Sequence, residues 1–324
     1  MDCNGSFECN NSFTANRCRF IYTTTTPTNH LRTNGSGAAF TLNDCIIDGQ
    51  NSAGRREMCY SGSQSTFNAT RCTFMNCVAT EGWGGALRQS GGTMNLTNCT
   101  FFGNSATYDG GAVYAGDDVT ATITNCTFYG NRSISEGYSG GAVAALGPWT
   151  LKNSIFWNNS NYYGENSFAH GGVGVTSGGY NIFREEIPIQ IPLANTDING
   201  SVSNIFISET LSDEGGFVPV LSIGRGSAAI DGLPADGNGA PATDATNRSP
   251  IGRHDIGAYE FLYHDPVFSN LAVSSITPNG FTFSGSLVDD GGAYYILERG
   301  YEYVAPNGET VDVPAGAGIG QIGS

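Results

Sequence analysis

Apolar and polar positions alternate in short segments through the first half of the chain, and each segment is centred on a cysteine. An apolar residue stands three positions before the cysteine and another stands two positions after it, within a frame rich in Thr and Asn. Consecutive cysteines of this set are 27 residues apart. The set comprises Cys18, Cys45, Cys72, Cys99 and Cys126. A sixth copy, Trp149 to Ser154, arrives one residue late and has serine in place of cysteine.

This pattern predicts β-strands. Thr and aromatic residues favour a pleated surface, and Gly and Asn favour the turns between strands. A helical repeat would need about ten continuous residues of 3.6-residue periodicity in each copy, and the sequence has no such run. A period between about 20 and 50 residues is typical of stacked repeats. We therefore expect an all-β fold, a right-handed parallel β-helix of about six coils with 27 residues each.

Columns of equivalent side chains are expected inside the coils, because neighbouring strands lie about 4.8 Å apart. The predicted columns are the cysteine set, an aromatic column with Phe74, Phe101 and Phe128, and an amide column with Asn104, Asn131 and Asn159. We interpret the cysteines as buried free thiols, since parallel side chains hold their Cβ atoms too far apart for a good disulfide. A local Cys3–Cys9 bridge is left open. The amides are expected to bond to turn backbones.

A second motif, a pair of glycines, opens another short strand in each later coil. Its copies are Gly84-Gly85, Gly110-Gly111, Gly140-Gly141 and Gly171-Gly172. Their spacing varies, which places a variable loop just before the glycines. This loop supplies the candidate ligand-binding residues Glu81, Trp83, Tyr108, Asp109, Glu136, Tyr138, Tyr163 and Glu165.

Three interpretations of this acidic and aromatic row stay open. Aromatic rings and carboxylates on one edge suit contact with a glycan or a Ca²⁺ ion. The row is equally consistent with a solvated edge that binds nothing. Catalysis would require two carboxylates about 5–9.5 Å apart, as in glycoside hydrolases, and we assign no catalytic residue from the sequence.

Composition narrows the choice of partners. The chain has 324 residues and a net charge of −15, with 14 Lys plus Arg and no basic run, so we expect no nucleic-acid partner. No stretch approaches 18 apolar residues, so no transmembrane segment is expected. There is no C-x-x-C motif or Cys/His cluster for a structural metal. Abundant Gly and a single Lys, Lys152, are typical of an extracellular protein. Since no signal peptide precedes the first coil, we expect a fragment of a longer exported protein.

The glycine pairs, together with Asn-Cys-Thr-Phe-x-Gly-Asn at Asn98 to Asn104, resemble the β-helix repeats of bacterial surface proteins, including polymorphic outer-membrane proteins and autotransporter passengers. The resemblance covers about residues 10–183. It implies a non-catalytic extracellular protein, an adhesin, stalk or filament segment, that presents a rigid face to a glycan or another protein. The same scaffold also carries enzymes, so a polysaccharide lyase or glycoside hydrolase is the alternative. We assign residues 1–183 to the β-helix.

Residues 184–263 lose the period. The segments Ser227 to Gly232, Asp244 to Arg248 and Arg253 to Phe261 resemble the C-terminal block of choice-of-anchor Q β-helix proteins, with Ala228 in place of the family's proline. This resemblance implies a terminal module of an exported β-helix. Four of its polar residues are interpreted as ion pairs and turn caps that close the open end of the coil stack. They are Asp231, Arg253, Asp255 and Glu260.

Residues 264–324 change pattern again, to alternating strands of antiparallel type with a hairpin turn expected at Asp289 to Gly292. They resemble the first part of a fibronectin type III-like sandwich, which is partial because a full one has about 100 residues. Strand addition through this element makes a self-assembling extracellular fibre subunit a third functional alternative.

Overall fold

The chain divides into two compact units, residues 1–261 and residues 262–324. The computed structural model describes residues 2–3, 7–21, 31–33, 35–54, 56–165, 168–170, 174–184, 192–200, 202–262, 267–277, 280–289, 299–304, 310–316 and 321–323. The first unit is a parallel β-helix of about six complete coils, which confirms the predicted fold. Three sheets form its sides, here called sheets A, B and C.

Sheet A follows the cysteine position and has nine strands, all parallel. Its strands, in chain order, are Asp2–Cys3, Arg19–Ile21, Ile46–Asp48, Thr73–Met75, Thr100–Phe102, Thr127–Tyr129, Ile155–Trp157, Ile182–Phe183 and Ile198–Asn199. Successive strands pair at the same repeat position, as Phe74 does with Phe101. The 27-residue period is therefore one turn of the backbone.

Sheet B precedes the cysteine position and has twelve strands. They are Phe7–Cys9, Phe13–Asn16, Leu31–Thr33, Ala39–Asn43, Cys59–Ser61, Ser65–Thr70, Leu87–Thr97, Val113–Thr124, Val143–Ala145, Trp149–Lys152, Phe168–His170 and Val175–Ser177. Sheet C has six two-residue strands: Ala53–Gly54, Val78–Ala79, Ser105–Ala106, Arg132–Ser133, Ser160–Asn161 and Gly164–Glu165. Burial alternates along Ser65–Thr70, so every second side chain of sheet B faces outward.

The corner between sheets B and A has a left-handed backbone at the residue before each cysteine position. The values of φ there lie between 49° and 55°, at Arg17, Asp44, Arg71, Asn98, Asn125 and Asn153. Asn and Asp tolerate this conformation better than most residues do. The residue before each cysteine position thus turns the chain at a fixed point in every coil.

The interior of the β-helix is filled by stacked rings. Phe74, Phe101 and Phe128 are fully buried. Their ring centroids are 4.7 and 4.6 Å apart with interplanar angles of 2°. Phe156 extends the column at 4.8 Å. This separation matches the distance between strands, so the rings stack without disturbing the sheet.

Cysteines and amides fill the corners of the interior. Cys45, Cys72, Cys99 and Cys126 are buried free thiols, and Cys18 is partly exposed. The thiols of Cys72 and Cys99 contact carbonyl oxygens of the preceding coil at 3.4 Å. Burial raises the pKa of the Cys72 and Cys126 thiols well above its ordinary value, so both are neutral at pH 7 and chemically inert.

The amide column links the coils through side-chain hydrogen bonds. Asn104 donates from Nδ2 to the Phe74 carbonyl at 3.0 Å and to Oδ1 of Asn131 at 2.9 Å. Asn131 repeats both contacts with Phe101 and Asn159. All three amides are completely buried. They satisfy turn carbonyls that would otherwise lack a partner inside the β-helix.

Cys9 lies outside these columns. It is a free thiol and contacts the backbone of Asn11 at 3.2 Å, so it does not form the bridge to Cys3 that the sequence left open. The side chain of Cys3 lies outside the described residues.

Residues 202–261 form a segment that runs back along the flank of the coils, here called the strap. Thr73 donates a hydrogen bond to the Pro219 carbonyl at 2.7 Å. Further along, Asn125 donates to the Asp255 carbonyl at 3.2 Å. Other contacts join Asn98 to Thr243, Asn153 to Asn238 and Gly257, and Thr127 to Ala258. The strap includes one short 3₁₀ helix, Gly237–Gly239.

Only part of the block that was predicted to close the open end of the coil stack is seen at that end in the described residues. Strand Ile198–Asn199 extends sheet A beyond Ile182–Phe183, and the strap then returns across four coils. Its carboxylates do cap turns, as predicted. Asp255 accepts the backbone N–H groups of Asp231 and Phe261, and Glu260 accepts that of Asp255. The physical reason is that the corner asparagines offer polar partners along the flank.

The second unit contains antiparallel strands. Val267–Thr277, Gly280–Asp289 and Gln321–Gly323 form a three-stranded sheet, and Arg299–Val304 pairs with Thr310–Gly316. Both pairings agree with the expected antiparallel type. The predicted hairpin turn after Asp289 lies outside the described residues, and the likeness to a fibronectin type III module stays a prediction.

Candidate functional site

Three of the predicted aromatic residues come from successive coils and lie against one another. The ring centroids of Trp83 and Tyr108 are 4.7 Å apart, and those of Tyr108 and Tyr138 are 4.8 Å apart. All three side chains are half-buried. We call them the aromatic row. Their distances from the glycine pairs differ, yet the turns stack closely enough to bring the rings together.

Glycine makes this stacking of turns possible. Gly84 has φ of +63°, a conformation that other residues rarely adopt. A Cβ atom on Gly85 would lie 2.4 Å from the Ser105 carbonyl oxygen. The backbones of neighbouring turns are therefore in direct contact, and Tyr108 donates its N–H to the Gly82 carbonyl at 3.1 Å. This contact fixes the ring of Tyr108 beside that of Trp83.

The predicted acidic residues surround the aromatic row in different environments. Glu81 and Glu136 are exposed. Asp109 is half-buried, and its carboxylate accepts the Ser139 backbone N–H at 2.8 Å. Burial raises the pKa of Asp109 above its ordinary value. Asp109 thus stabilises the next turn. It lies beside the aromatic row, with which the sequence predicted it to form a ligand-binding surface.

The last two candidates lie in the following coil. Tyr163 is 68% exposed and packs edge-on against Tyr162, with ring centroids 5.2 Å apart. Glu165 belongs to the strand Gly164–Glu165, and its side chain lies outside the described residues. The turn at Tyr162 and Tyr163 thus presents a separate aromatic pair.

A second file of side chains, which the sequence reasoning missed, runs beside the aromatic row on the outer face of sheet B. Arg32 pairs with Tyr60, Tyr60 with Arg88, and Arg88 with Tyr114 in the strand register. Cations and aromatic rings therefore alternate from coil to coil. We call this the arginine file. A signal was present in the sequence, since Arg88 and Tyr114 both stand four residues after the first glycine of a pair.

The aromatic row and the arginine file meet at Arg88. Its guanidinium carbon lies 4.8 Å from the ring centroid of Trp83 and 5.8 Å from those of Tyr60 and Tyr114. Arg32 lies over the other part of the file, 4.9 Å from the Tyr60 centroid. A cation held within about 6 Å of an aromatic face is attracted by the electron density of the ring. Three rings thus fix the position of one guanidinium.

Arg88 also has an unpaired donor. Its Nε atom is inaccessible to solvent and has no hydrogen-bond partner among the described residues. By contrast, Arg71 makes two hydrogen bonds to Asp44, at 2.6 and 3.0 Å. Buried donors are nearly always satisfied in folded proteins. Arg88 therefore differs from an arginine that serves only to pair with a neighbouring carboxylate.

Chemically, the surface combines flat apolar faces with fixed hydrogen-bond donors. The face of an aromatic ring is electron-rich and packs well against the C–H bonds of a sugar ring. The Tyr60 hydroxyl lies 3.0 Å from the Ser90 hydroxyl, which orients that ring as well. Within the described residues no group of three or more His, Cys, Asp or Glu is arranged to hold a metal ion, and the predicted Ca²⁺ site stays a prediction.

Comparison with known proteins gives one short match. The family model described as the Chlamydia polymorphic membrane protein repeat matches residues 98–116. The matched segment contains Cys99 of the cysteine column, Asn104 of the amide column, and the glycine pair that follows the aromatic row. No curated protein and no solved structure gives a significant match. No helix among the described residues is long and apolar enough to cross a membrane. This β-helix therefore contains a repeat similar to that of the polymorphic membrane proteins.

Proposed function

We propose that this chain is a non-catalytic, cell-surface β-helix protein whose aromatic row contacts glycans. The match to a polymorphic membrane protein repeat supports a surface location, and the net charge of −15 suits a protein exposed to solvent. The observation that carries the proposal is the stacking of Trp83, Tyr108 and Tyr138 from three successive coils. An extended platform of half-exposed rings offers successive sugar units a place to pack.

Binding to a panel of neutral and acidic oligosaccharides tests this proposal. We expect Trp83→Ala to weaken binding of the best ligand about tenfold, because a stacked ring contributes about 1 kcal/mol or more and 1.4 kcal/mol is a factor of ten. Phe217→Ala is the matched control, since Phe217 is an exposed aromatic residue of the strap, outside the row. Calorimetric titration measures each affinity.

Two results would contradict the proposal. One is equal binding by the wild type and Trp83→Ala, or no binding to any member of the panel. The other is turnover of a glycan that is lost in Asp109→Ala, which would instead establish a polysaccharide-active enzyme. Circular dichroism of each variant verifies that the β-helix remains folded.

A further inference from the structure

We propose that Arg88 forms an anion subsite within the aromatic row and takes the carboxylate of a uronic acid unit, so that the preferred glycan is acidic. This inference rests on the proposed glycan contact and specifies the class of sugar. It starts from the charge balance of the chain. Asp and Glu outnumber Lys and Arg by 29 to 14. Many acidic side chains are thus available as partners, yet none of those in the described residues pairs with Arg88.

Arg88 has different neighbours from the three arginines that pair with carboxylates in the described residues. Arg19, Arg32 and Arg71 each lie within 4.0 Å of a carboxylate oxygen, with distances of 3.4, 3.9 and 2.6 Å. Within the described residues Arg88 forms no such pair and is surrounded by Tyr60, Trp83 and Tyr114. Aromatic rings hold a guanidinium in place and leave its net charge uncompensated. The positive charge is thus available to a ligand.

The geometry suits a planar anion. A guanidinium presents parallel N–H groups that match the two oxygens of a carboxylate, and such paired hydrogen bonds are stronger than neutral ones. The rings restrict the rotation of the side chain, so little freedom is lost on binding.

The aromatic row then orients the rest of the ligand. Trp83 contacts both Arg88 and Tyr108, so a sugar ring packed on Trp83 places its substituents close to the guanidinium. Arg32 lies over Tyr60 on the same file but pairs with Glu8, so the charge offered to the ligand is that of Arg88. Among sugar substituents, a ring carboxylate provides both the planar shape and the charge. A sulfate ester shares the charge but has a tetrahedral shape.

The test compares a galacturonic acid oligomer with its methyl ester, which keeps the sugar rings and removes the charge. A sulfated galactose oligomer of equal length forms the third arm. Titration calorimetry should show the free acid binding the wild type at least tenfold more tightly than the ester, with the sulfated oligomer between them. Added salt should weaken only the charged ligands, since it screens exposed charges.

Substitutions test whether Arg88 is responsible for the preference for the free acid. In Arg88→Gln the free acid should bind no more tightly than the ester, whereas Arg88→Lys should keep part of the preference through its charge. Arg132→Gln is the matched control, because Arg132 is an exposed arginine of sheet C, and it should bind like the wild type. The thermal midpoint of each variant verifies folding, and Arg88→Lys keeps the test informative if Arg88→Gln unfolds.

The two proposals fail in different ways. Equal affinity for the acid and the ester, with both dependent on Trp83, would overturn the anion subsite and leave glycan contact intact. A preference for the sulfated oligomer over the uronate would also overturn the assignment to a carboxylate. Failure of every neutral and acidic oligosaccharide to bind would overturn the proposed function, and the subsite with it.

Discussion

The residue before each cysteine position shows how one backbone requirement shapes the repeat. Asn98, Asn125 and Asn153 all have φ near +50°, and their side chains also reach the strap or each other. The sequence shows that Asn is frequent here, but Arg17 and Arg71 at the same position hide the rule. Asn98 therefore has two separable roles, turning the chain and fastening the strap.

Substitution of Asn98 can separate these roles. Asn98→Ala should lower the free energy of unfolding by about 2–3 kcal/mol, because the left-handed backbone costs about 1–2 kcal/mol and the lost hydrogen bond to Thr243 about 1 kcal/mol. Asn98→Gly should cost only about 1 kcal/mol, since glycine adopts positive φ without strain. Denaturant titration measures both. Equal losses in the two variants would show that the backbone conformation is not the constraint.

The interior columns were predictable residue by residue, because their members repeat at one period. Spacing alone placed Phe74, Phe101 and Phe128 in one column. The arrangement of side chains on the outer surface was harder to predict from the sequence. The strands that carry Arg88 and Tyr114 follow loops of variable length, so the alternation of outward side chains is too brief to recognise. Trp83 and Tyr108 stand at different distances from their glycines, and only the stacked turns bring them together.

At the scale of elements, the strap was the least predictable part. Its partners along the flank are single carbonyls, such as those of Pro219 and Thr243, and no period connects them with the coils. Its internal turns depend on buried carboxylates. Asp244, Asp255 and Glu260 are 3%, 4% and 5% exposed, and they accept backbone N–H groups from one another's segments. Such a cluster makes the stability of the strap sensitive to pH.

The direction in which stability changes with pH follows from the pKa values of these carboxyl groups. Burial raises the pKa of Asp255 to about 7 and that of Glu260 to about 8, above the values of about 4 in an unfolded chain. The folded state therefore binds more protons between about pH 4 and pH 8, and stability falls as the pH rises through this window. The basic neighbour of this cluster is His254, whose Nδ1 lies 3.1 Å from Oε1 of Glu260.

We expect the thermal midpoint to be higher at pH 6 than at pH 8.5, and Glu260→Gln to flatten this difference. Gln can accept the same N–H of Asp255 but does not titrate. Glu136→Gln is the control, since Glu136 is an exposed carboxylate of the variable loop, and it should keep the wild-type slope. A midpoint that rises with pH in the wild type would contradict this account.

At the scale of the whole molecule, the two outer faces of the β-helix have different uses. The strap covers sheet A, where Phe206 packs edge-on against Tyr129 and Trp157 with centroids 5.6 and 6.3 Å apart. The aromatic row and the arginine file lie on the turns and the outer face of sheet B. One side of the coils is thus closed by the chain itself, and another presents the candidate site. The identity of residues 264–324 and their self-association stay predictions.

Truncated chains separate the contributions of the strap and of the second unit to stability. A chain that ends at residue 261 should keep the thermal midpoint of the first unit, because the interior columns and the strap are all retained. A chain that ends at residue 200 should lose at least about 3 kcal/mol of stability, since each exposed aromatic ring costs about 1.5–3 kcal/mol. Calorimetry of both chains provides the comparison. Equal midpoints would show that the strap contributes nothing to folding.

Because equivalent windings lie directly above one another, the sequence can evolve by gaining or losing whole windings. A stretch of 27 residues gained or lost by recombination leaves each remaining winding with the same kind of neighbour above and below it. Additions before the glycine pairs are tolerated as well, since Val113 pairs with Val143, 30 residues later. Duplication of a winding would therefore lengthen the aromatic row by one more ring without requiring a new interior.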